Sequence, residues 1–371
     1  MGFSPNSLNA LIWIACVYRW VCRAVLCISA GASCLILWVS FYIESDMESN
    51  LFLAVLSYVP IWVPLIPLVA MLPLALVFSR VALVMLLLSG LSYIILHCHP
   101  QFHKAAASNV EIKESLPSLR IMSFNAGQSK FVGFEALVSI MNPDIVLLQE
   151  ARGWLKRPDV AAGASIFPHK QEAGEFVILS KFPFSEPGLP ALTVQINGRE
   201  KVCAYRHRLR IMGRSISIFN THMPSPRELL RWHAGKGTFL LGLVHWVSTD
   251  LELWHNERTM AWMERANNIK KLADIIKQES GTTIVAGDLN TPPWGAGYRA
   301  INETMTDSFP KKGGGYGFTF PAESMSLPSF AVPWLRIDYL FVSRGVKICD
   351  WKTSKSGRMQ HLPICASITI P

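Results

Sequence analysis

The sequence predicts an α-helical membrane region followed by a layered α/β domain. Apolar residues are concentrated in the first hundred positions, and short β-type runs alternate with helical patterns after them. Several of those runs end in polar groups that catalysis can use. At 371 residues the chain exceeds one average domain. We divide it into a membrane region at residues 1–99, a linker at 100–118 and an α/β domain at 119–371.

Three stretches of the N-terminal region are long and apolar. We predict transmembrane helices at about residues 22–43, 51–78 and 80–97. About 20 apolar residues are enough to cross a bilayer. Four prolines between residues 60 and 73 predict a kinked second span, which membranes tolerate. A cleaved signal peptide is the competing interpretation of the first stretch, but it leaves the two further apolar runs unexplained.

Basic residues predict the orientation of these spans. Arg19 and Arg23 precede the first span, and Arg80 lies between the second and the third. Because basic residues accumulate on the cytoplasmic side, the N-terminus should be cytoplasmic. Three crossings then place the α/β domain on the trans side, periplasmic or extracellular. We expect an integral protein of a bacterial inner or cell membrane.

The positive charge belongs to the C-terminal part of the chain. Only three of the 35 basic residues and three of the 26 acidic residues precede His99, so the net charge of +9 lies after it. Such a charge suits a polyanionic substrate or an anionic bilayer surface. Solubility alone is a nearly equal explanation.

Helical and β-type patterns alternate after residue 118. Residues 131–141 predict a helix before the strand that ends at Glu150, and residues 265–278 predict one before the strand that ends at Asp288. Mixed strands and helices with polar groups at strand ends are typical of a layered α/β sandwich.

Polar residues follow or interrupt the apolar runs at six places. They are Asn125, Glu150, His222, Asp288 with Asn290, Asp338 and His361. Side chains two residues apart at a strand end point the same way, so Asp288 and Asn290 can converge on one phosphate or metal ion. Either residue alone would be an ordinary turn residue. The full set supplies what one hard divalent cation and phosphoryl chemistry require.

In this order the segments resemble the endonuclease/exonuclease/phosphatase superfamily, whose fold is DNase I-like. The resemblance runs from about Leu119 to the C-terminus, and residues 174–183 (GEFVILSKFP) and 317–321 (GFTFP) also fit it. It implies a four-layered sandwich of two β-sheets flanked by helices, and an enzyme that hydrolyses phosphate ester bonds.

The resemblance also implies a metal site. Glu150 would be the principal ligand, with Asn125 alongside it. Mg2+ is the natural ion for carboxylate and amide oxygens, and Mn2+ is the alternative.

The catalytic roles follow from the same resemblance. His361 would be the catalytic histidine and Asp338 the carboxylate that orients it. Asp288 would position or activate the attacking water. Asn290 and His222 would bind phosphate oxygens of the transition state.

Gln360 departs from the family pattern, which usually has an aspartate immediately before the final histidine. The neutral amide removes one carboxylate from the metal shell and predicts lowered metal affinity. The expected function is a membrane-anchored, metal-dependent phosphoesterase or phosphodiesterase that acts by water attack. The alternative is a membrane-tethered, non-catalytic binding module with a decayed site, of which Gln360 would be the first sign.

Three substrate classes stay open: nucleic acid, a phospholipid or sphingolipid head group, and a soluble phosphate ester. Basic charge favours a polyanion, whereas membrane anchoring favours a lipid. The apolar residues 237–247, with tryptophans on both sides, predict either a contact with the membrane interface or an extra core helix.

Overall fold

The computed structural model describes residues 5–44, 47, 51–98, 100–101, 118–127, 131–196, 198–225, 251–322, 332–357 and 359–370. The chain forms two compact units. One comprises Met1–Ser45 and Val59–His99, and the other comprises Asp46–Tyr58 and Pro100–Pro371. We call them the helical unit and the sandwich unit. The linker expected at 100–118, apart from three of its residues, and the apolar residues 237–247 lie outside the described residues.

The described residues of the N-terminal region form four α-helices. They are α1 (Pro5–Glu44), α2 (Leu51–Leu56), α3 (Ile66–Phe78) and α4 (Arg80–His97), with a short 3-10 helix at Val63–Leu65 before α3. Of these, α1, α3 and α4 belong to the helical unit, whereas α2 belongs to the sandwich unit.

The structure replaces the single helix expected over residues 51–78 by two separate ones. Helix α2 ends at Leu56, and α3 begins only at Ile66. Prolines explain the break, because proline lacks an amide hydrogen and disfavours helical conformation at the preceding residue. Pro64 and Pro67 instead occupy the first turns of the next helical segments, where no amide hydrogen is needed. That this segment crosses a bilayer stays a prediction.

The helical unit is apolar on its outside. Trp20 is 75% exposed and Leu76 is 69% exposed, while the buried positions include Ser33 and Ser89. These two serines hydrogen-bond each other at 3.1 Å between α1 and α4. Small and polar residues inside with large apolar residues outside are typical of helices packed in lipid.

The sandwich unit consists of twelve described strands and five further helices. The strands are β1 (Ser118–Asn125), β2 (Ile145–Gln149), β3 (His169–Ala173), β4 (Phe176–Ser180), β5 (Phe184–Ile196), β6 (Arg199–Ile211), β7 (Arg214–His222), β8 (Thr283–Asp288), β9 (Met305–Asp307), β10 (Asp338–Ser343), β11 (Lys347–Thr353) and β12 (Ile364–Thr369). The helices are α5 (Phe134–Met141), α6 (Pro158–Ser165), α7 (Leu251–Lys277), α8 (Ala296–Asn302) and α9 (Phe309–Lys312). The helices predicted at 131–141 and 265–278 correspond to α5 and α7, although α7 begins 14 residues earlier than predicted.

The strands form two six-stranded sheets. The first has the order β11-β12-β1-β2-β4-β3, and the second has the order β5-β6-β7-β8-β10-β9. Each has one parallel pair at its centre, β1 with β2 and β7 with β8, and every other pairing is antiparallel. Helix α5 lies in the chain between the first parallel pair, and α7 lies between the second.

Three apolar clusters define the layers. The first lies between the two sheets and contains Ile121 and Ile145 of the first sheet with Ile218 and Ile284 of the second. The other two cover the outer faces, one beneath α5 and α6 and one beneath α7 and α8. The predicted four-layered sandwich of two sheets flanked by helices is therefore confirmed.

A polar layer closes the inter-sheet core at one end. Residues two apart on a strand share a face, so Gln149 follows Ile145 on the inner face of β2, and Asn220 follows Ile218 on β7. Gln149 Nε2 donates to Asn220 Oδ1 at 2.7 Å across the sheets, and Asn220 Nδ2 donates to the carbonyl of Leu148. On β7 the next position on this face is His222, a candidate catalytic residue.

Candidate active site

His361 and Asp338 form a buried pair that joins the two sheets. His361 lies three residues before β12 of the first sheet, and Asp338 begins β10 of the second. His361 Nδ1 is 2.9 Å from Asp338 Oδ2. Burial alone lowers the pKa of His361, but the charges of Asp338 and Asp288 outweigh it and raise the pKa to about 9. The pair therefore favours an imidazolium with its Nε2 turned away from Asp338.

His222 and Glu175 form a second pair across the sheets. His222 ends β7, and Glu175 lies in the turn between β3 and β4. His222 Nδ1 is 2.9 Å from Glu175 Oε1. Burial opposes charge on both groups, yet their hydrogen bond and mutual attraction raise the pKa of His222 and lower that of Glu175.

Asp288 lies between the two histidines. Its Oδ2 is 3.8 Å from His361 Nε2 and 3.9 Å from His222 Nε2. Strand pairing produces this arrangement, because Asp288 is opposite both His222 on β7 and Asp338 on β10. Burial raises the pKa of Asp288 to about 6; the two histidines lower it and the charge of Asp338 raises it further. A carboxylate with this pKa can exchange a proton near neutral pH.

Asn125 and Glu150 complete the site from the first sheet. Asn125 Nδ2 donates to Asp288 Oδ2 at 3.1 Å and to Glu150 Oε1 at 3.4 Å. Its Oδ1 accepts from the backbone amide of Gly127 at 3.0 Å. The amide nitrogen thus faces the two carboxylates, and Asn125 holds Asp288 in place. Its oxygen, the atom that would bind a metal ion, faces the Gly127 amide, so the ligand role of Asn125 stays a prediction.

The donor set fits a hard divalent cation. Four carboxylates surround two histidines here, and Asp338 Oδ1 is buried without a hydrogen-bond partner among the described residues. One ligand atom from each of Asp288, Asp338 and His361 also lies within 4.8 Å of the others. Carboxylate and amide oxygens are the ligands that Mg2+ prefers. The predicted pair of Glu150 and Asn125 adjoins this group through Asp288.

Asn290 lies beside Asp288 but outside the strand. Its φ is 48°, a left-handed conformation that is uncommon for residues other than glycine. Its backbone amide donates to Asp288 Oδ1 at 2.7 Å, and its Nδ2 donates to the carbonyl of Met223 at 2.9 Å. Asn290 therefore lies in a turn after β8, where strand periodicity does not apply, and convergence of the two side chains on one phosphate or metal ion stays a prediction.

Gln360 lies at the mouth of the site, exposed to solvent. Its side chain is 3.4 Å from the position that a Cβ on Gly127 would occupy, two residues beyond Asn125. A carboxylate at this position would therefore be close to the predicted metal ligands.

Comparison of the whole sequence with known families gives one match. A family model described as the Endonuclease/Exonuclease/phosphatase family matches residues 122–357, which is more than half of the chain. The chain belongs to this family. It is a phosphate-ester hydrolase, as the family's members are.

Solved structures similar to the chain include two endonuclease/exonuclease/phosphatase proteins and one sphingomyelinase. The protein from Beutenbergia cavernae has 14% identity and a TM-score of 0.43, with 68% of this chain and 72% of that chain covered. The protein from Bacteroides vulgatus has 15% identity and a TM-score of 0.45, with 69% and 100% covered. Sphingomyelinase C from Streptomyces griseocarneus has 16% identity and a TM-score of 0.42, with 68% and 99% covered. A search of curated proteins gives no match.

The structure brings all seven candidate site residues that the sequence predicted to one end of the sandwich. It adds two that sequence reasoning missed. Glu175 pairs with His222, and Thr319 Oγ1 accepts from the backbone amides of Ile337 and Asp338 at 3.3 Å each. Both lie in segments that the family resemblance includes, at 174–183 and 317–321, which was the available signal.

Proposed function

We propose that this hydrolase is a membrane-anchored, divalent-metal-dependent phosphoesterase that cleaves its substrate by attack of water. The observation that carries the proposal is the convergence of two histidine–carboxylate pairs on Asp288. The Nε2 atoms of His222 and His361 both lie within 4 Å of the Asp288 carboxylate. The two protonated histidines can bind an anionic phosphate, and a carboxylate with a pKa near neutral pH can accept a proton from the attacking water.

Each residue has a distinct role in this proposal. Asp288, with a pKa of about 6, accepts the proton of the attacking water. His361, held protonated by Asp338, donates its Nε2 proton to the ester oxygen that leaves as the phosphorus–oxygen bond breaks. His222, held protonated by Glu175, donates to a second phosphate oxygen together with Asn290. Asn125 fixes the Asp288 carboxylate through the hydrogen bond at 3.1 Å.

Glu150 would hold the metal ion, with Asn125 as its neighbour. The φ of Glu150 is 53°, and its side chain is the more exposed partner in its contact with His222. When bound, Mg2+ or Mn2+ would neutralise phosphate charge at the reacting centre. We place the metal ion at Glu150 and not at the group around His361, because His361 Nδ1 already faces Asp338.

The membrane anchor rests on the composition of the helical unit. Two helices, Leu11–Ile43 and Arg80–His97, are long and apolar enough to cross a membrane, and Val63–Phe78 is a shorter apolar one. The outward-facing tryptophan and leucine side chains of the unit agree with this, since exposed apolar surface of this extent is unusual in soluble proteins. We propose three crossings and a sandwich unit on the periplasmic or extracellular side.

The substrate is an ester of an anionic phosphate, either nucleic acid or a lipid head group. The charges of Lys201 and Arg152 act on Glu175, so two cations lie near one edge of the site. Nucleic acid would make several phosphate contacts there, and its cleavage would weaken steeply with salt. Hydrolysis of a lipid head group would depend instead on presentation in a bilayer.

The decisive experiment uses the full chain in detergent micelles or vesicles. Its hydrolysis of bis(p-nitrophenyl) phosphate, single-stranded DNA, RNA and sphingomyelin is measured with and without Mg2+. We expect His361→Ala to lose at least ~99% of the turnover, since acid–base groups contribute about 10²–10⁴-fold. Glu150→Gln should raise the Mg2+ concentration for half-maximal rate by about tenfold, as loss of one carboxylate ligand weakens a Mg2+ site.

Asp144→Asn is the matched control for these substitutions. Asp144 pairs with Lys181 at 2.8 Å away from the site, so removing its charge should leave turnover unchanged. Equal turnover by wild type and His361→Ala would refute the catalytic assignment and favour the non-catalytic binding module.

A further inference from the structure

The backbone carbonyl of Asn290 accepts two side-chain hydrogen bonds in a buried place. One comes from the hydroxyl of Tyr58, and the other comes from the guanidinium of Arg265 on α7. Tyr58 is 6% exposed and Arg265 is 1% exposed. Tyr58 belongs to the segment Asp46–Tyr58, which overlaps the start of the span predicted at residues 51–78 but groups with the sandwich unit.

Tyr58 is fixed by its neighbours. Its ring lies 5.3 Å from the ring of Trp262, and the guanidinium carbon of Arg265 lies 5.4 Å from the Tyr58 ring centre. Trp334 Nε1 donates to the carbonyl of Tyr58 at 3.3 Å. Ala54 of helix α2 completes the same apolar cluster. The hydroxyl therefore approaches Asn290 from a rigid support, which is what a positioning group needs.

Asn290 requires such support for two reasons. A left-handed conformation costs a residue other than glycine free energy, so the surrounding contacts must hold it. Its amide bonds the Asp288 carboxylate, and its side chain bonds the carbonyl of Met223, the residue after His222. A rotation of the Asn290 peptide would therefore disturb the ends of both β7 and β8.

We propose that Tyr58 is a positioning residue for the hydrolysis: its hydrogen bond to the Asn290 carbonyl orients the Asn290 side chain. The proposal rests on the proposed function of Asn290 in binding phosphate oxygens. It makes the segment Asp46–Tyr58 part of the catalytic unit, although it lies within the apolar N-terminal hundred residues. The sandwich from residue 119 onward is incomplete without it.

The test compares Tyr58→Phe with wild type in the full chain, with bis(p-nitrophenyl) phosphate as the probe. The variant keeps the ring and its packing and loses only the hydroxyl. We expect kcat to fall about tenfold, equivalent to ~1.4 kcal/mol, with KM within about twofold of wild type. Tyr93→Phe is the matched control, because Tyr93 is equally buried and donates to the carbonyl of Ile61 at 3.0 Å within the helical unit. It should leave kcat unchanged.

A double-mutant cycle with Asn290→Ala separates positioning from a general structural effect. If Tyr58 acts through the Asn290 side chain, Tyr58→Phe should cost about twofold or less in kcat once that side chain is absent. Equal losses in both backgrounds would overturn the proposal, as would a wild-type kcat in Tyr58→Phe. Loss of the proposed function would be recognised separately, by a wild-type protein no faster than His361→Ala.

Discussion

Replacing Asp338 by asparagine tests the central pair of the site. The substitution keeps the shape of the side chain and removes its charge, so His361 Nδ1 loses an ionised partner at 2.9 Å. The pKa of His361 is raised from the ordinary 6.5 to about 9. This difference corresponds to roughly 3 kcal/mol in favour of the imidazolium. Burial is the largest single effect on this pKa and lowers it, and the charge of Asp338 is the largest of the effects that raise it.

The sign of the pH effect follows directly. A raised pKa keeps His361 protonated up to about pH 9 in wild type, so the rate should fall only above that value. In Asp338→Asn, burial still lowers the pKa of His361, but the charge that mainly opposed this effect is gone. The pH above which the rate falls should therefore move to about pH 7. The fraction of protonated His361 at pH 8 would then drop about tenfold. At pH 6 it would hardly change.

The assay is the ratio of wild-type to variant kcat at pH 6 and at pH 8, in the full chain. We expect the ratio to be about tenfold larger at pH 8, in proportion to the protonated fraction. Asp144→Asn, which removes a carboxylate outside the site, should give the same ratio at both pH values. A folded Asp338→Asn variant with an equal ratio at pH 6 and pH 8 would refute control of the His361 pKa by Asp338.

Three further substitutions test other parts of the structure. In Gly287→Ala, the new Cβ would lie 1.9 Å from the Thr221 carbonyl oxygen, and we expect a loss of at least ~3 kcal/mol in the free energy of unfolding. The control Gly281→Ala, at a φ of +88° with no atom within 4 Å of the new Cβ, should lose only about 1–2 kcal/mol. In Glu175→Gln, His222 stays buried but loses the charge of Glu175, so its pKa falls and it is less often protonated. Inhibition by inorganic phosphate should then weaken by about tenfold. An unchanged inhibition constant would contradict the pairing of Glu175 with His222. Gln360→Asp should lower the Mg2+ requirement by about tenfold through one added carboxylate, and an unchanged Mg2+ dependence with an unchanged rate would show that this position does not affect the metal.

The sandwich and its active end could be predicted because strand periodicity fixes both at once. On β7 and β8, apolar residues at every second position point between the sheets, and the same periodicity carries His222 and Asp288 to the common edge. Parallel neighbours end together, so their terminal side chains meet. No comparable rule exists for Glu175, which lies in a turn, because an acid beside glycine is also an ordinary turn residue.

The boundary between membrane region and catalytic unit could not be predicted, for a physical reason. The length and composition of an apolar segment show that it is removed from water. They do not show whether lipid or a protein core surrounds it. Residues 51–58 read as the start of a span, whereas Ala54 and Tyr58 pack against Trp262 in the sandwich unit. Tyr58 also donates a hydrogen bond to the carbonyl of Asn290, 232 positions away in the sequence, which no local pattern predicts.

Each histidine–carboxylate pair takes one partner from each sheet. His361 and Glu175 come from the first sheet, and Asp338 and His222 come from the second. Neither half of the sandwich therefore carries a complete proton-transfer pair. Turnover therefore reports whether the two sheets are packed together. In a urea titration it should disappear together with the inter-sheet core. A partially folded species with only one intact sheet would hydrolyse no phosphate ester.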